Sequence, residues 1–313
     1  MKVDMVFEGG GVLGISFVGA LASLEKHGYE FQRCAGTSAG AIVAALVVAG
    51  YNAEELYKLM QSLDYSFMKS GKCYEKFPPF RGVKLLSEKG LYNGDNIEKW
   101  ITPMLEAKKV TKFKHVMKNG KSRLKIIASD ITKRDIVIFP DDLSKYDIDP
   151  GEFEIAKAVR MSASIPLYFT PYILNYGTSR SCIVDGGLLS NFPIWIFDVE
   201  GVPRWPTFGL KLQDKHSKTS TGSCNFFRFV QDVIHAPLYV NGERFIRDKD
   251  LVRTVIIDSK GIKSTDFDIA YKHAESLYDK GYKATEEFLG EWNFQRYVAD
   301  NRMVKTTYYL AKN

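Results

Sequence analysis

The five residues Gly36-Thr37-Ser38-Ala39-Gly40 constrain this chain more than any other stretch. A short extended run, Phe31 to Ala35, leads into them, and an unbroken apolar run, Ala41 to Ala49, leads out. A serine so placed sits where a strand turns sharply into a helix, the arrangement of a nucleophile elbow. The free N–H groups of the first helical turn favour negative charge beside it. Gly36 and Gly40 let strand and helix approach without a side-chain clash. The apolar run has no polar face, so the helix must be enclosed by the protein, which would hold the elbow rigidly. Taken alone, the pentapeptide reads more often as a plain Gly/Ser turn, and the decision falls to the rest of the chain.

Upstream, Val3 to Phe7 reads as a short buried strand running into Glu8-Gly9-Gly10-Gly11-Val12-Leu13-Gly14, with a helical pattern from Ile15 to Lys26. Strand, glycine loop and helix fit a dinucleotide fingerprint through Gly9, Gly11 and Gly14. That fold wants an acidic residue about twenty positions on, at the end of the next strand. Here the second strand ends at Cys34-Ala35 and runs into the elbow instead. The other use of three consecutive glycines is an oxyanion hole, in which the N–H groups of Gly9, Gly10 and Gly11 converge on one developing negative oxygen.

A serine nucleophile needs a base within reach. The histidines are His27 at a helix end, His115 among lysines, His216 in a polar loop, His235 before Ala236-Pro237, and His273 on a late helix. None lies in a strand-end loop with glycine neighbours, and each reads as a surface or satisfied core residue. Asp185 is the better candidate, since it follows the buried strand Cys182 to Val184 and precedes Gly186-Gly187, which lets the backbone bend close to another segment. An Asp-Gly-Gly turn without a catalytic role is the competing reading.

Elsewhere, Asn52 and Glu55 form a capping box that opens a helix to about Leu63. Residues 64–89 lose all periodicity and mix aromatic residues with lysines, which suggests a lid or lipid-contacting loop over the site, or else a plain surface insertion. A helix follows from Gly94-Asp95 to about Leu105, then strands Arg123 to Ser129 and Asp135 to Phe139, and a helix Phe153 to Ser162 that Pro166 ends. Thr207 to Leu212 and Leu251 to Ile257 read as strands, and Asp266 to Leu289 as a long amphipathic helix. The tail from Trp292 mixes apolar residues with charge too closely to be placed.

A glycine triplet, G-x-S-x-G and Asp-Gly-Gly in that order resemble the patatin-like phospholipase family. The resemblance extends through Gly90-Leu91-Tyr92-Asn93-Gly94-Asp95, Ala128-Ser129-Asp130, Ser162-Ala163-Ser164-Ile165-Pro166 and Asp185 to Pro193, and so covers roughly Val3 to Pro193. It implies a three-layer α/β/α hydrolase-like fold with a mostly parallel central sheet. Residues 1–200 would form the catalytic core, and 201–313 would complete the same domain. It also implies a serine acyl hydrolase of phospholipase A or lysophospholipase type, working through a Ser-Asp dyad without histidine. Ser38 matches the nucleophile, Asp185 the base, and Gly9, Gly10 and Gly11 the oxyanion loop. Two departures stand out: Leu13 lies where family members commonly carry Lys or Arg, and Leu167-Tyr168 follows Pro166 where a small residue is common. An acyltransferase using the same acyl-serine, and a non-catalytic lipid-binding module, remain alternatives.

Composition narrows the partners. The net charge of +6 over 313 residues is a mild excess, and no basic run of a nucleic-acid-binding kind occurs. A phospholipid or lysophospholipid substrate at a peripheral membrane surface is the expected partner, with no cofactor. Asp4 and Glu8 interrupt what would have to be the apolar part of a signal peptide, and no apolar run is long enough to span a bilayer. Cys34, Cys73, Cys182 and Cys224 are too dispersed for a metal site or disulfide framework; Cys34 and Cys182 read as core thiols, in keeping with a cytoplasmic location.

Overall fold

The alternation in Val3-Asp4-Met5-Val6-Phe7 sends Met5 and Phe7 into one core and Val6 into another, so the first strand is covered on both faces, as central strands of a parallel sheet must be. The computed structural model describes residues 1–61, 85, 87–213, 248–259 and 272–303. In chain order its strands are β1 (Lys2–Phe7), β2 (Glu30–Thr37), β3 (Gly90–Tyr92), the small hairpin β4 (Met117–Lys118) and β5 (Lys121–Ser122), β6 (Leu124–Asp130), β7 (Asp135–Phe139), β8 (Leu167–Phe169), β9 (Tyr172–Tyr176), β10 (Ser179–Asp185), β11 (Thr207–Gln213) and β12 (Thr254–Asp258). The α-helices are α1 (Gly14–Lys26), α2 (Ala39–Ala49), α3 (Ala53–Gln61), α4 (Asp95–Ala107), α5 (Ile155–Ser162), α6 (Gly187–Ser190), α7 (Asp248–Leu251), α8 (Ala274–Glu291) and α9 (Phe294–Val298).

One sheet runs in the order β12-β11-β1-β2-β6-β10-β9, with β7 also on β6. From β12 to β6 every pairing is parallel, while β7, β10 and β9 are joined antiparallel. The expected mostly parallel α/β architecture is therefore what the chain adopts. The main core lies between the sheet and α1, α2, α4, α5 and α8, and on the opposite face Val6 and Ala35 are covered by Phe192, Ile194 and Phe197. β11 and β12 extend this same sheet, and α8 packs along α1.

The register on β6 is what positions the site. β7 occupies one edge of β6 from Ile126 to Asp130, so the other two partners must share the opposite edge. β2 takes its first half, with Thr37 opposite Ile127. β10 takes its second half in the reverse direction, with Asp185 opposite Ala128. The ends of β2 and β10 thus face one another across one residue step of β6.

Asn52 and Glu55 make both bonds of the capping box, at 2.8 and 3.0 Å. Three expectations need correction. Residues 251–257 are not one strand: α7 occupies Asp248–Leu251 and β12 begins at Thr254, because the buried Arg253 pairs back to Asp250 at 2.5 Å and to Asp198 at 2.7 Å, which requires a turn there. Strand β9 was not expected, and it makes the run around Cys182 half of an antiparallel hairpin. Cys182 is consequently only half-buried, unlike the enclosed Cys34. Almost all of the suggested lid, together with Cys73, Cys224, His216, His235, residues 266–271 and everything after Met303, lies outside the described residues.

Candidate active site

Ser38 connects β2 to α2 with φ 55° and ψ −122°, a left-handed conformation unusual for a residue with a side chain. Such a backbone costs on the order of 1–3 kcal/mol and persists only where its surroundings enforce it. Packing supplies the enforcement. A Cβ on Gly40 would stand 2.5 Å from the carbonyl oxygen of Phe7, so the start of α2 is pressed against the end of β1. The other fixing contact is a hydrogen bond, in which the Ser38 N–H donates to Ser162 Oγ at 2.9 Å.

Asp185, the last residue of β10, is buried, and its Oδ1 accepts the Gly187 N–H at 2.7 Å. Burial is the largest influence on it and pushes its carboxyl up to about 6, against the downward pull of the Ser38 hydroxyl and the Gly187 amide. Its Oδ2 is enclosed and has no well-formed hydrogen bond among the described residues. The Ser38 hydroxyl is thus close enough to act on the carboxyl group but short of an aligned bond.

The glycine loop lies beside this pair. A Cβ on Gly9 would stand 3.5 Å from the Ser38 Cβ and 2.3 Å from Asn191 Oδ1, so the loop backbone reaches the serine only without a side chain. The N–H of Gly9 is occupied, donating to the Asn191 carbonyl at 3.0 Å. Gly11 has φ 53°. The N–H groups of Gly10 and Gly11 donate to no partner among the described residues. These two amides, rather than all three, are available to an oxyanion.

Several groups that hold the site were not singled out from the sequence. Asn191 donates from Nδ2 to Glu8 Oε1 and to the Gly9 carbonyl, both at 3.3 Å. Glu8 is buried, accepts the Leu212 N–H at 2.7 Å and pairs with Lys211 at 3.2 Å. Desolvation raises its pKa, and the Lys211 charge opposes the rise. Arg160, buried on α5, bonds to Asp95 at 3.1 Å, Ser164 Oγ at 2.6 Å and the Thr170 carbonyl at 3.0 Å. An arginine between Val159 and Met161 on an amphipathic helix was the available signal, and a charge on an apolar face asks for a partner. Among the described histidines, His27 pairs with Glu286 on the surface, His115 Nδ1 accepts the amides of Thr111 and Lys112, and His273 stands at the N-cap position of α8 with no side-chain cap bond. No cluster of potential metal ligands occurs among the described residues.

Ser38 and Gly11 line an apolar cavity of about 60 Å³, whose wall includes Ile15, Ile42, Met60, Ile97, Trp100 and Phe169. Leu13 is buried in the core, so no cation extends from that position of the loop.

A mostly parallel sheet, a strained serine at a strand-to-helix turn and a glycine loop on the adjoining strand define an α/β protein of hydrolase type. The family model described as patatin-like phospholipase matches residues 5–198, and the chain belongs to that family, one of lipid acyl hydrolases. The uncharacterized protein YqhO of Bacillus subtilis is 36% identical over 298 residues, covering 94% of this chain and all of the relative. The lysophospholipase NTE1 of Meyerozyma guilliermondii is 44% identical over 55 residues, 18% of this chain and 4% of that enzyme. The crystal structure of VipD from Legionella pneumophila has a TM-score of 0.53 at 16% identity, covering 92% of this chain and 66% of that one, a likeness of fold.

Proposed function

We propose that the chain is a serine acyl hydrolase that cleaves fatty acyl esters of phospholipids or lysophospholipids. The observation that carries this reading is the meeting of Ser38, which lines an apolar cavity, with the buried carboxyl of Asp185. An acyl chain would occupy the cavity with its ester carbonyl at Ser38. The Ser38 oxygen attacks that carbon while its proton passes to Asp185, whose carboxyl at about 6 is a better base than an ordinary aspartate. The Gly10 and Gly11 amides stabilise the oxyanion, each such donor being worth roughly 3 kcal/mol of barrier. The intermediate then collapses, the alcohol leaves with the proton from Asp185, and water attacks the acyl-serine by the same proton route in reverse. Gly9 shapes the loop instead of donating to the oxyanion, since its N–H is spent on Asn191.

Leu189 and Trp195 are exposed shortly after Asp185, which supports contact with a membrane surface. The family model and the lysophospholipase segment support the choice of substrate class. The test is incubation of the protein with mixed phospholipids, lysophospholipids and triglycerides, with released fatty acids identified by mass spectrometry. Fatty acid released from the phospholipids or lysophospholipids, and absent with Ser38→Ala, is the expected result. Acyl transfer to an added lysolipid in place of free fatty acid would identify an acyltransferase, and no product at all would favour a binding module.

A further inference from the structure

β2 and β10 approach each other along one edge of β6, and both chains leave the ladder where they meet: Ser38 turns into α2 and Gly186 into α6. Ser162, the last residue of α5 and fully buried, occupies this junction. Its hydroxyl accepts the Ser38 N–H at 2.9 Å and donates to the Ile127 carbonyl at 2.5 Å. Ile127 is the residue opposite Thr37, so the hydroxyl bridges the elbow to β6 where the parallel ladder gives out. The Ser162 carbonyl accepts the Gly186 N–H at 3.2 Å, and the Ser164 carbonyl accepts the Asp185 N–H at 2.9 Å. One short segment therefore bonds to both sides of the proposed reacting pair.

We propose that Ser162 is a positioning residue whose hydroxyl sets the orientation of Ser38 toward Asp185; this rests on the reading of those two as nucleophile and base. A single oxygen that both accepts and donates satisfies a buried N–H and a buried C=O at once. Without it the Ser38 amide loses the one partner it has among the described residues, and the strained peptide, at φ 55°, relaxes toward a more populated conformation, carrying the Ser38 oxygen away from the carboxyl group. Ser162 is fully buried and does not line the cavity at Ser38, so its hydroxyl acts through Ser38.

Ser162→Ala tests this in the full chain, with kcat, KM and the pH profile measured on a soluble p-nitrophenyl ester, and with the rate of fluorophosphonate labelling. The expected result is a fall in kcat and labelling rate of roughly 10- to 100-fold with KM nearly unchanged, the effect of a small displacement of a reacting atom. The acid limb should move to higher pH, because the Ser38 hydroxyl no longer draws the Asp185 pKa down. Ser162→Thr keeps the hydroxyl and should recover part of the loss. Ser23→Ala removes another fully buried hydroxyl, bonded to Glu286 at 2.8 Å, and should lower stability while leaving kcat and the acid limb unchanged. Should Ser162→Ala not fold, Ser162→Cys, which nearly keeps the volume but bonds weakly, must show the same loss. Wild-type turnover and acid limb in a folded Ala or Cys variant would overturn the proposal. If Ser38→Ala is inert while Ser162→Ala behaves as wild type, the positioning role alone falls; if Ser38→Ala is active, both readings fall.

Discussion

Glu8 and Lys211 form a buried ion pair, 3.2 Å apart, directly beneath the glycine loop. Glu8 begins the loop at the end of β1, and Lys211 belongs to the neighbouring β11, so the pair ties the loop to the far half of the sheet. Removing one member of a buried pair leaves the other without its counter-charge, at about 3–5 kcal/mol. Lys211→Met should therefore lose stability of that order in urea unfolding, and Glu8→Gln combined with Lys211→Met should recover much of it. A single variant as stable as wild type would show the pair to be dispensable.

The Asp185 carboxyl has opposite consequences for activity and stability. As the proposed base it must be ionised, so kcat/KM should fall as pH drops through about 6. For stability the sign is reversed from that of a salt-bridged aspartate. An unfolded-chain aspartate ionises near 4, so between about 4 and 6 the unfolded state has released its proton while the folded state retains it. Folding stability falls as pH rises through that window, and the full cost persists above it. The separation corresponds to an upper bound of about 3 kcal/mol. Asp185→Asn should thus be inactive yet more resistant to urea than wild type at pH 8, with the advantage shrinking below pH 6. Equal unfolding midpoints at pH 8 would contradict the burial argument.

Gly94 explains why the Asn-Gly-Asp turn takes the form it does. A Cβ there would come within 2.7 Å of the Arg160 guanidinium carbon, and that group cannot move aside because Asp95, Ser164 and Thr170 all hold it. Gly94→Ala should cost roughly 1–3 kcal/mol as an overpacking change. The same substitution in an Arg160→Lys background should cost less, a coupling that a double-mutant cycle in urea would measure. Strict additivity would argue against the clash.

Gly14 opens α1 on the cavity wall, where a Cβ would meet Met60 and Ala39 only at ordinary contact distances of 3.5 and 3.6 Å. Gly14→Leu should fill the cavity with little backbone strain. Turnover of a long-chain lysophospholipid should fall by roughly tenfold or more, while that of p-nitrophenyl acetate stays close to wild type. Equal losses on both esters would place the acyl chain elsewhere.

What the sequence revealed was what local turn chemistry carries. The elbow at Ser38, the glycine loop and the Asp-Gly-Gly turn each announce themselves within a few residues, and the capping pair Asn52 and Glu55 lies within one helical turn. The supporting groups were less legible because their partners are distant in the chain: Ser162 meets Ser38, Asn191 meets Glu8, and Lys211 meets Glu8 only after the sheet is assembled. β9 was missed for a related reason. Ile173 and Asn175 face outward on this last strand of the sheet, so the run lacks the apolar density of the central strands. The misplaced start of β12 came from reading Leu251 and Val252 as strand when both are exposed beside a turn that Arg253 anchors. Family motifs placed the glycine triplet as a unit, and only the hydrogen bonding separates Gly9 from Gly10 and Gly11.

Site-resolved labelling distinguishes Ser38 as nucleophile and Asp185 as its base from every other assignment. The protein is treated with a fluorophosphonate and its intact mass and peptide map are recorded alongside residual esterase activity, for wild type, Ser38→Ala and Asp185→Asn. One adduct per chain, located on Ser38, is expected, with activity lost in step. No adduct is expected in Ser38→Ala, and labelling of Asp185→Asn should be much slower. An adduct on another residue, or esterase activity retained by Ser38→Ala, would contradict this assignment.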